Sequence, residues 1–442
     1  MVTLTFRPLV LCRRSLARSP TRRSITTKAH DQYSVYIHWP YCESKCTYCN
    51  FNKYVNPSQP PVERLTDALV RELRFYLDEP RFGLRDKRVA SVYFGGGTPS
   101  LASPKTIERI LDTLQIPSDV EVTLEANPTS AESERLQSFR HVGINRLSLG
   151  IQSFNDRDLK ILGRDHSAAS AFNIINKAKR MFDKVTFDMI FARPGQSIRD
   201  WELELKQALD LAGDHLSIYQ LSLERGTPLW KASTKRQLPP VASSEEAADM
   251  YDMTVEEAAV HGFSHYEVSS YARARQAMSK HNFSYWQGMD YLGIGPGAHG
   301  RLTDIQNHQR IRTFGEFHPD KYMALCESEG EGIRKWTPIS SRDVQEELFV
   351  FGLRTRMGIP RSRFEEMTGN TLEQVVNQDM LSLYVDAGLL LVDNDEDLER
   401  YVPEHLQHEW MRGGIRPTER GLAVMDTLLP NLLSLLEEDN KP

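Results

Sequence analysis

The chain has 442 residues, 40% hydrophobic and 26% charged, which suits a soluble globular protein of two or three domains. Its net charge of −6 gives no electrostatic reason to expect nucleic acid, and no apolar stretch approaches the roughly 20 residues of a membrane span. Five cysteines, three of them clustered, exclude a disulfide framework and fit a reducing compartment in which thiolates serve a cofactor.

The first 30 residues carry Arg7, Arg13, Arg14, Arg18, Arg22, Arg23 and Lys28 among serines and threonines, and no acidic residue precedes Asp31. This is the composition of a mitochondrial transit peptide, so the expected localisation is mitochondrial. A secretory signal fits less well, because Arg7 interrupts the apolar run from Leu4 to Leu11. A basic tail that meets an acidic partner is the competing reading. Loss of the segment would take the net charge from −6 to about −13.

From Val35 to about Tyr271, short apolar runs alternate with helical patterns. Strands are predicted at Val35–Trp39, Val89–Phe94, Val120–Glu125, Arg146–Ser148, Val185–Ile190 and Leu216–Leu221. Helices are predicted at Val62–Leu77, where Leu65, Leu69, Leu73 and Tyr76 form one stripe, and at Thr106–Leu114, Ala168–Met181, Ile198–Leu211 and Glu245–His261. The repeated unit implies an α/β fold with a parallel sheet, and six units suggest a barrel or partial barrel. Reactive residues of such folds gather at the C-terminal ends of strands.

Just after the first strand, YIHWPYCESKCTYCNF sets Cys42, Cys46 and Cys49 in C-x3-C-x2-C spacing. Iron-sulfur cubanes take one Cys per iron, so three thiolates leave one iron open to a small molecule. The competing reading is a Cys3His zinc site completed by His38. Cys12 and Cys326 are isolated, the latter read as a small buried filler. After the second strand comes FGGGTP, residues 94–99. Its glycines allow close approach, so that a ligand's polar groups can meet bare N–H and C=O; a plain tight turn is the alternative.

The last hundred residues read as another unit, with helical patterns at Val344–Arg354, Arg361–Met367, Leu372–Ala387 and Glu419–Leu436 and short strands at Leu389–Val392 and Ile415–Thr418. Helices with a two-stranded wing resemble a winged-helix module. The acidic run Asp393 to Glu399 favours a protein-contact or lid role over DNA.

Taken together, YIHWPYC-x3-C-x2-C, GGGTP, LEANP, LGIQSF, LGRDH and FDMIFARPGQ resemble the radical S-adenosylmethionine superfamily. The branch is the one containing oxygen-independent coproporphyrinogen oxidase and its HemW-like relatives, and the resemblance covers roughly residues 33 to 430. It implies a partial (β/α)6-type barrel and a 4Fe-4S cluster on Cys42, Cys46 and Cys49, whose open iron chelates S-adenosylmethionine. Tyr36 then resembles the tyrosine beside the sulfonium and Tyr48 the aromatic near the adenosyl group. Gly96, Gly97 and Thr98 match the loop for the methionyl amino group, and Glu125 matches a carboxylate for an amino group or ribose hydroxyls. Gln152, Arg164 and Asp188 match polar positions that contact a second S-adenosylmethionine in the oxidase. Each also has a plain reading: Glu125 beside a helix cap, Arg164 in a surface ion pair, Asp188 in a turn.

Two departures choose the branch. The oxidase has a further Cys two residues after the third, where this chain reads Cys49-Asn50-Phe51, and the oxidase's N-terminal extension is replaced by the basic segment. Both point to the HemW-like group, which the resemblance describes as heme chaperones that transfer heme to recipient proteins and lack the oxidase reaction. Oxidative decarboxylation of a tetrapyrrole is the alternative function, and a structural metal protein without S-adenosylmethionine chemistry is the third. Heme-accepting proteins and an electron donor are the implied partners, and an exposed cluster edge would suit a homodimer.

Beyond the barrel, KHNFSYWQGMDYLGIGPGAHGR, residues 280–301, places His281 and His299 among Tyr285, Trp286 and Tyr291. A flat apolar slot with an axial His is what heme needs, and His281 to Trp286 resembles a proposed heme-binding motif. Both histidines are therefore candidate heme ligands, while Gly-Ile-Gly-Pro-Gly-Ala-His is equally a turn that closes the S-adenosylmethionine pocket. The expected division is 1–30 transit peptide, 31–271 core, 272–337 family-specific extension and 338–442 C-terminal winged-helix-like domain.

Overall fold

The computed structural model of the chain describes residues 31–55, 60–393 and 396–433. The basic segment 1–30, with Cys12, lies outside these residues, as does the end of the helix expected over Glu419–Leu436.

Six strands form the centre: β1 (Gln32–Trp39), β2 (Arg88–Gly96), β3 (Glu121–Ala126), β4 (Arg146–Gln152), β5 (Lys184–Phe191) and β6 (His215–Gln220). They are neighbours in that order and all parallel, as the repeated units predict. Nearly every residue in β1, β3 and β4 is buried, which explains why they read as continuous apolar runs. Helices cover the outer face. Val62–Asp78 buries Leu65, Leu69, Leu73 and Tyr76 on the expected stripe, each leucine contributing about 1.5–3 kcal/mol. Ser197 with Asp200, and Ser243 with Glu246, form capping boxes that start Ile198–Leu211 and Ser244–Val260.

The sheet extends beyond six strands. At one end β7 (Ser264–Glu267) and β8 (Ser270–Ala272) add an antiparallel pair. On the free side of β1, β9 (Asp290–Ile294) joins in parallel register and β10 (His299–Thr303), β11 (Arg310–Gly315) and β12 (Ile333–Pro338) continue antiparallel. The order is β12-β11-β10-β9-β1-β2-β3-β4-β5-β6-β8-β7, and the two end strands do not pair, so the barrel stays open. None of β9 to β12 has a clean apolar alternation: Gly293 and Gly300 interrupt it, and Arg301, Arg310, Arg312 and Lys335 load it with charge. The stretch HNFSYW before them is a helix, Lys280–Trp286.

A second hydrophobic core, from Ile339 to Leu432, gathers Leu348, Phe349, Phe364, Leu390, Ile415 and Leu429. Its small sheet has three strands, β13 (Ile359–Pro360), β14 (Leu390–Val392) and β15 (Gly414–Pro417), with β15 between the others. The expected helix over Leu372–Ala387 is broken at Val376, because Asn377 accepts from Met380 N and restarts the chain as Gln378–Asp386. Polar ties hold this unit to the barrel: Arg301 donates to Glu347 at 2.9 Å, and Glu419 meets His265 at 2.5 Å.

Candidate functional site

The cysteine segment leaves the top of β1 and is fastened at several points. Tyr41–Cys42 pairs in parallel with Tyr54–Val55, closing the loop at its base. At its tip Thr47 N donates to Leu162 O at 2.9 Å, its hydroxyl donates to Ile161 O at 2.7 Å, and its carbonyl accepts from Leu229 N at 2.9 Å. Cys42 is buried while Cys46 and Cys49 are half-buried, and all three are free thiols. Burial pushes the Cys42 thiol up, an effect opposed by the Thr98 hydroxyl and by Lys53.

The glycine run holds this loop from the neighbouring strand. Gly97 N donates to Trp39 O at 2.6 Å and Thr98 N to Tyr41 O at 2.8 Å. A Cβ on Gly97 would lie 2.6 Å from Tyr41 O, and one on Gly96, which has φ +107°, would lie 2.6 Å from the His38 ring. The expected bare N–H groups of Gly97 and Thr98 are therefore committed to the cysteine segment, and glycine is required because two backbones meet here.

Strand-end side chains complete the mouth. Glu125 accepts from Tyr93 OH at 2.8 Å and from Gly96 N at 3.3 Å, and burial raises its carboxyl to about 7 despite both donors. Asp188 is also raised to about 7, by burial first and then by the Glu125 charge, with Arg164 opposing. Arg164 binds three elements at once: Nη1 to Cys46 Sγ at 3.3 Å, and Nη2 to Asn127 Oδ1 at 2.6 Å and to Gly150 O at 2.7 Å. Its buried Nε has no hydrogen-bond partner among the described residues. Asn127 Nδ2 in turn donates to Thr98 Oγ1 at 3.1 Å, linking the glycine run to Cys46. Gln152 is buried at the end of β4 with φ +67°, and its carbonyl accepts from Arg193.

Tyr36 and Tyr48 have phenols raised by burial; Tyr48 sits in the field of Arg164, Cys46 and Cys49. Tyr36 packs against both Tyr93 and His281, with ring centroids 6.2 Å away in each case. Asn127 escaped sequence reasoning as a functional residue, although it stands two residues after Glu125 in the LEANP signature that marked the strand end.

The histidines separate sharply. His38 places Nε2 2.8 Å from Asn52 O and Nδ1 3.2 Å from Tyr36 OH, and burial holds it down at about 4. Both nitrogens are thus engaged away from the thiols, which removes the fourth donor of the zinc reading. His281 is 1% exposed, with Nδ1 3.0 Å from Ser91 Oγ and Nε2 2.7 Å from Tyr285 OH, and burial pushes it down to about 3. Both of its ring nitrogens are thus engaged within the protein, and its ring is buried. His299 is exposed, packs on Phe314 with centroids 4.3 Å apart, and is lowered by partial desolvation and by Arg301 and Arg312. Cys326 is fully buried, its thiol pushed up by burial and by Glu72.

Among the described residues no three His, Cys, Asp or Glu side chains close around a single metal ion. An all-sulfur set of three free thiols on one loop suits a cluster instead, since a cubane spreads its thiolates one to each iron.

An open, mostly parallel barrel with a three-cysteine loop after its first strand defines a radical S-adenosylmethionine protein. Residues 36–208 match the model described as Radical SAM superfamily, and residues 339–399 match the HemN C-terminal domain. "Radical S-adenosyl methionine domain-containing protein 1, mitochondrial" of Bos taurus is 40% identical, over 92% of this chain and 88% of that one. "Heme chaperone HemW" of Haemophilus influenzae is 34% identical, over 78% of this chain and 88% of its own. The solved structure titled "Coproporphyrinogen III oxidase (HemN) from Escherichia coli is a Radical SAM enzyme" superposes with TM-score 0.72, covering 92% of this chain and 91% of that one. At 20% identity it shows the shared fold. The chain belongs to the radical S-adenosylmethionine superfamily, in the family of these mitochondrial domain-containing proteins and HemW. It is a mitochondrial member, and superfamily membership implies a 4Fe-4S cluster and S-adenosylmethionine.

Proposed function

We propose that this protein is a mitochondrial heme chaperone that carries a 4Fe-4S cluster and S-adenosylmethionine, binds heme and passes it to recipient proteins. The observation that carries the reading is the cysteine loop itself: Cys49 is followed by Asn50 and Phe51, with no further thiol, in a chain whose relatives include proteins named heme chaperones. Phe51 is 69% exposed, an apolar surface beside the loop that suits handover of a hydrophobic cargo.

Cys42, Cys46 and Cys49 would hold the cluster, which when bound supplies an iron able to chelate S-adenosylmethionine and one electron to cleave it. Thr98 and Asn127 brace the glycine run, Glu125 offers a carboxylate to an ammonium group, and Arg164 holds Cys46 while facing Tyr48 and Asp188. Gln152 and Tyr36 would contribute to the same site. Domain bounds at 271 and 337 remain part of this proposal, with the C-terminal unit as a protein-contact or lid element.

The test is a hemin titration of anaerobically reconstituted protein, followed by mixing with an apo-globin. Saturable binding, and the appearance of the holo-globin spectrum as the loaded protein loses its heme, are expected; absence of saturable binding would overturn the reading. Incubation with coproporphyrinogen, S-adenosylmethionine and dithionite is expected to give no protoporphyrinogen, and product formation would favour the decarboxylase alternative.

A further inference from the structure

Heme needs three things from a protein surface: flat apolar contact, an axial donor with a free lone pair, and cations for two propionates. His281 has neither a free nitrogen nor an exposed edge. A different place in the fold supplies all three. On β10, His299 is exposed, and among the described contacts neither of its ring nitrogens is hydrogen-bonded. Its register partner on β11 is Phe314, and Phe317 closes edge-on against Phe314 with centroids 4.5 Å apart. Phe317 itself is 39% exposed.

The patch is physically joined to the cysteine loop. Asn52 Nδ2 donates to Phe317 O at 3.1 Å and to Pro296 O at 3.0 Å, and Tyr54 OH donates to Phe317 O at 3.2 Å. Exposed Phe51 immediately precedes Asn52. Cations border the aromatic surface. Lys335 pairs in register with Phe314, and the Arg334 guanidinium carbon lies 5.5 Å from the Phe317 ring centre. Both are exposed and neither takes part in an ion pair among the described residues, whereas Arg301 and Arg312 are held by Glu347. The acidic groups nearby are Glu316 and Asp320, so the cationic side of the patch is the β12 edge.

We propose that heme docks on the His299, Phe314 and Phe317 surface beside the cysteine loop, with His299 as the axial ligand and Arg334 and Lys335 meeting the propionate carboxylates. This rests on the heme-chaperone reading and gives that reading its site. Iron would then stand at the mouth of the cluster loop, not inside the barrel. An exposed single-ligand site also suits a cargo that must be given up.

The experiment is a hemin titration of the full chain by absorbance, with wild type, His299→Ala, His299→Cys, His318→Ala and the double variant Arg334→Glu/Lys335→Glu. Expected are saturable binding by wild type and by His318→Ala, and at least a tenfold weakening in His299→Ala. The charge-reversed pair should weaken binding severalfold without changing the spectrum. His299→Cys should give a thiolate-ligated spectrum, which a merely structural residue cannot do. If wild type fails to bind hemin, the chaperone reading falls. If wild type binds while His299→Ala binds equally with an unchanged spectrum, or His299→Cys leaves the ligand field unaltered, the site assignment falls and the reading stands.

Discussion

Arg164 and Cys46 are 118 residues apart in sequence, yet the guanidinium Nη1 lies 3.3 Å from the sulfur. A hydrogen bond to a cluster thiolate stabilises the reduced, more negative state, so it raises the reduction potential. Arg164→Gln should therefore lower the midpoint potential of the reconstituted cluster by up to roughly 65–130 mV, the one-electron equivalent of about 1.5–3 kcal/mol for a hydrogen bond to a charged group. An EPR-monitored redox titration measures this, and an unchanged potential would show that the bond is not formed in the loaded protein.

Gly97→Ala tests the backbone contact between β2 and the cysteine segment. The new methyl would press on Tyr41 O and Trp39 O at 2.6 and 2.8 Å, and neither carbonyl can yield without moving Cys42. Overpacking of this kind costs about 1–3 kcal/mol. The expected result is a lowered melting temperature and less than half the wild-type iron after reconstitution, read by iron and sulfide analysis. Full iron loading would mean that the loop tolerates displacement.

The raised carboxyls of Glu125 and Asp188 predict a pH dependence. An ionised Glu125 attracts the S-adenosylmethionine ammonium; protonated, it does not. Affinity should therefore hold at pH 8 and fall as pH drops through about 7, approaching tenfold per unit well below that value. Folding stability runs the other way. Between the ordinary 4.5 and about 7 the folded protein keeps a proton that the unfolded chain has lost, so this group's contribution declines as pH rises across that window. Calorimetric titration from pH 6 to 8 checks the binding, and Glu125→Gln should flatten the curve.

His281 has the opposite sign. It stays neutral in the fold, held near 3, while the unfolded imidazole takes a proton below 6.5. Its stabilising effect is intact above 6.5 and is lost as pH falls, by about 1.4 kcal/mol per unit. His281→Phe should abolish that component of acid sensitivity and cost about 2–3 kcal/mol at pH 7.5, because Ser91 and Tyr285 lose their partner. Urea denaturation at several pH values is the measurement, and a parallel pH slope in wild type and variant would refute the assignment.

The six central strands were legible because both faces are buried, leaving runs such as YSVYIHW with little ambiguity. The spacing of the cysteines and the signatures around Glu125 and Arg164 pointed to one region, and the fold brings Arg164 to Cys46 and Glu125 to Gly96. What sequence could not convey is directional. His281 and His299 are equivalent as letters in one aromatic, glycine-rich stretch, and only the register separates them: one lies under Tyr93 with centroids 4.8 Å apart, the other stands on Phe314 at the surface. The glycines of FGGGTP likewise announced a close approach without naming the partner, which is the chain's own backbone at Trp39 and Tyr41. Strands β9 to β12 were hidden by arginines whose charge is absorbed by Asp290 and Glu347.

The parallel pairing of β1 with β9 also sets an order of events during synthesis. Val35 lies beside Leu292, so the strand that leads into Cys42 acquires its second neighbour only after some 250 further residues have been made. At about 5–20 residues per second that is a wait of roughly ten to fifty seconds. Until then one edge of β1 is bare and the Asn52 anchor at Pro296 does not exist. Bracing of the cysteine loop is thus an event of the nearly complete chain, set by a strand made some 250 residues after the cysteines it steadies.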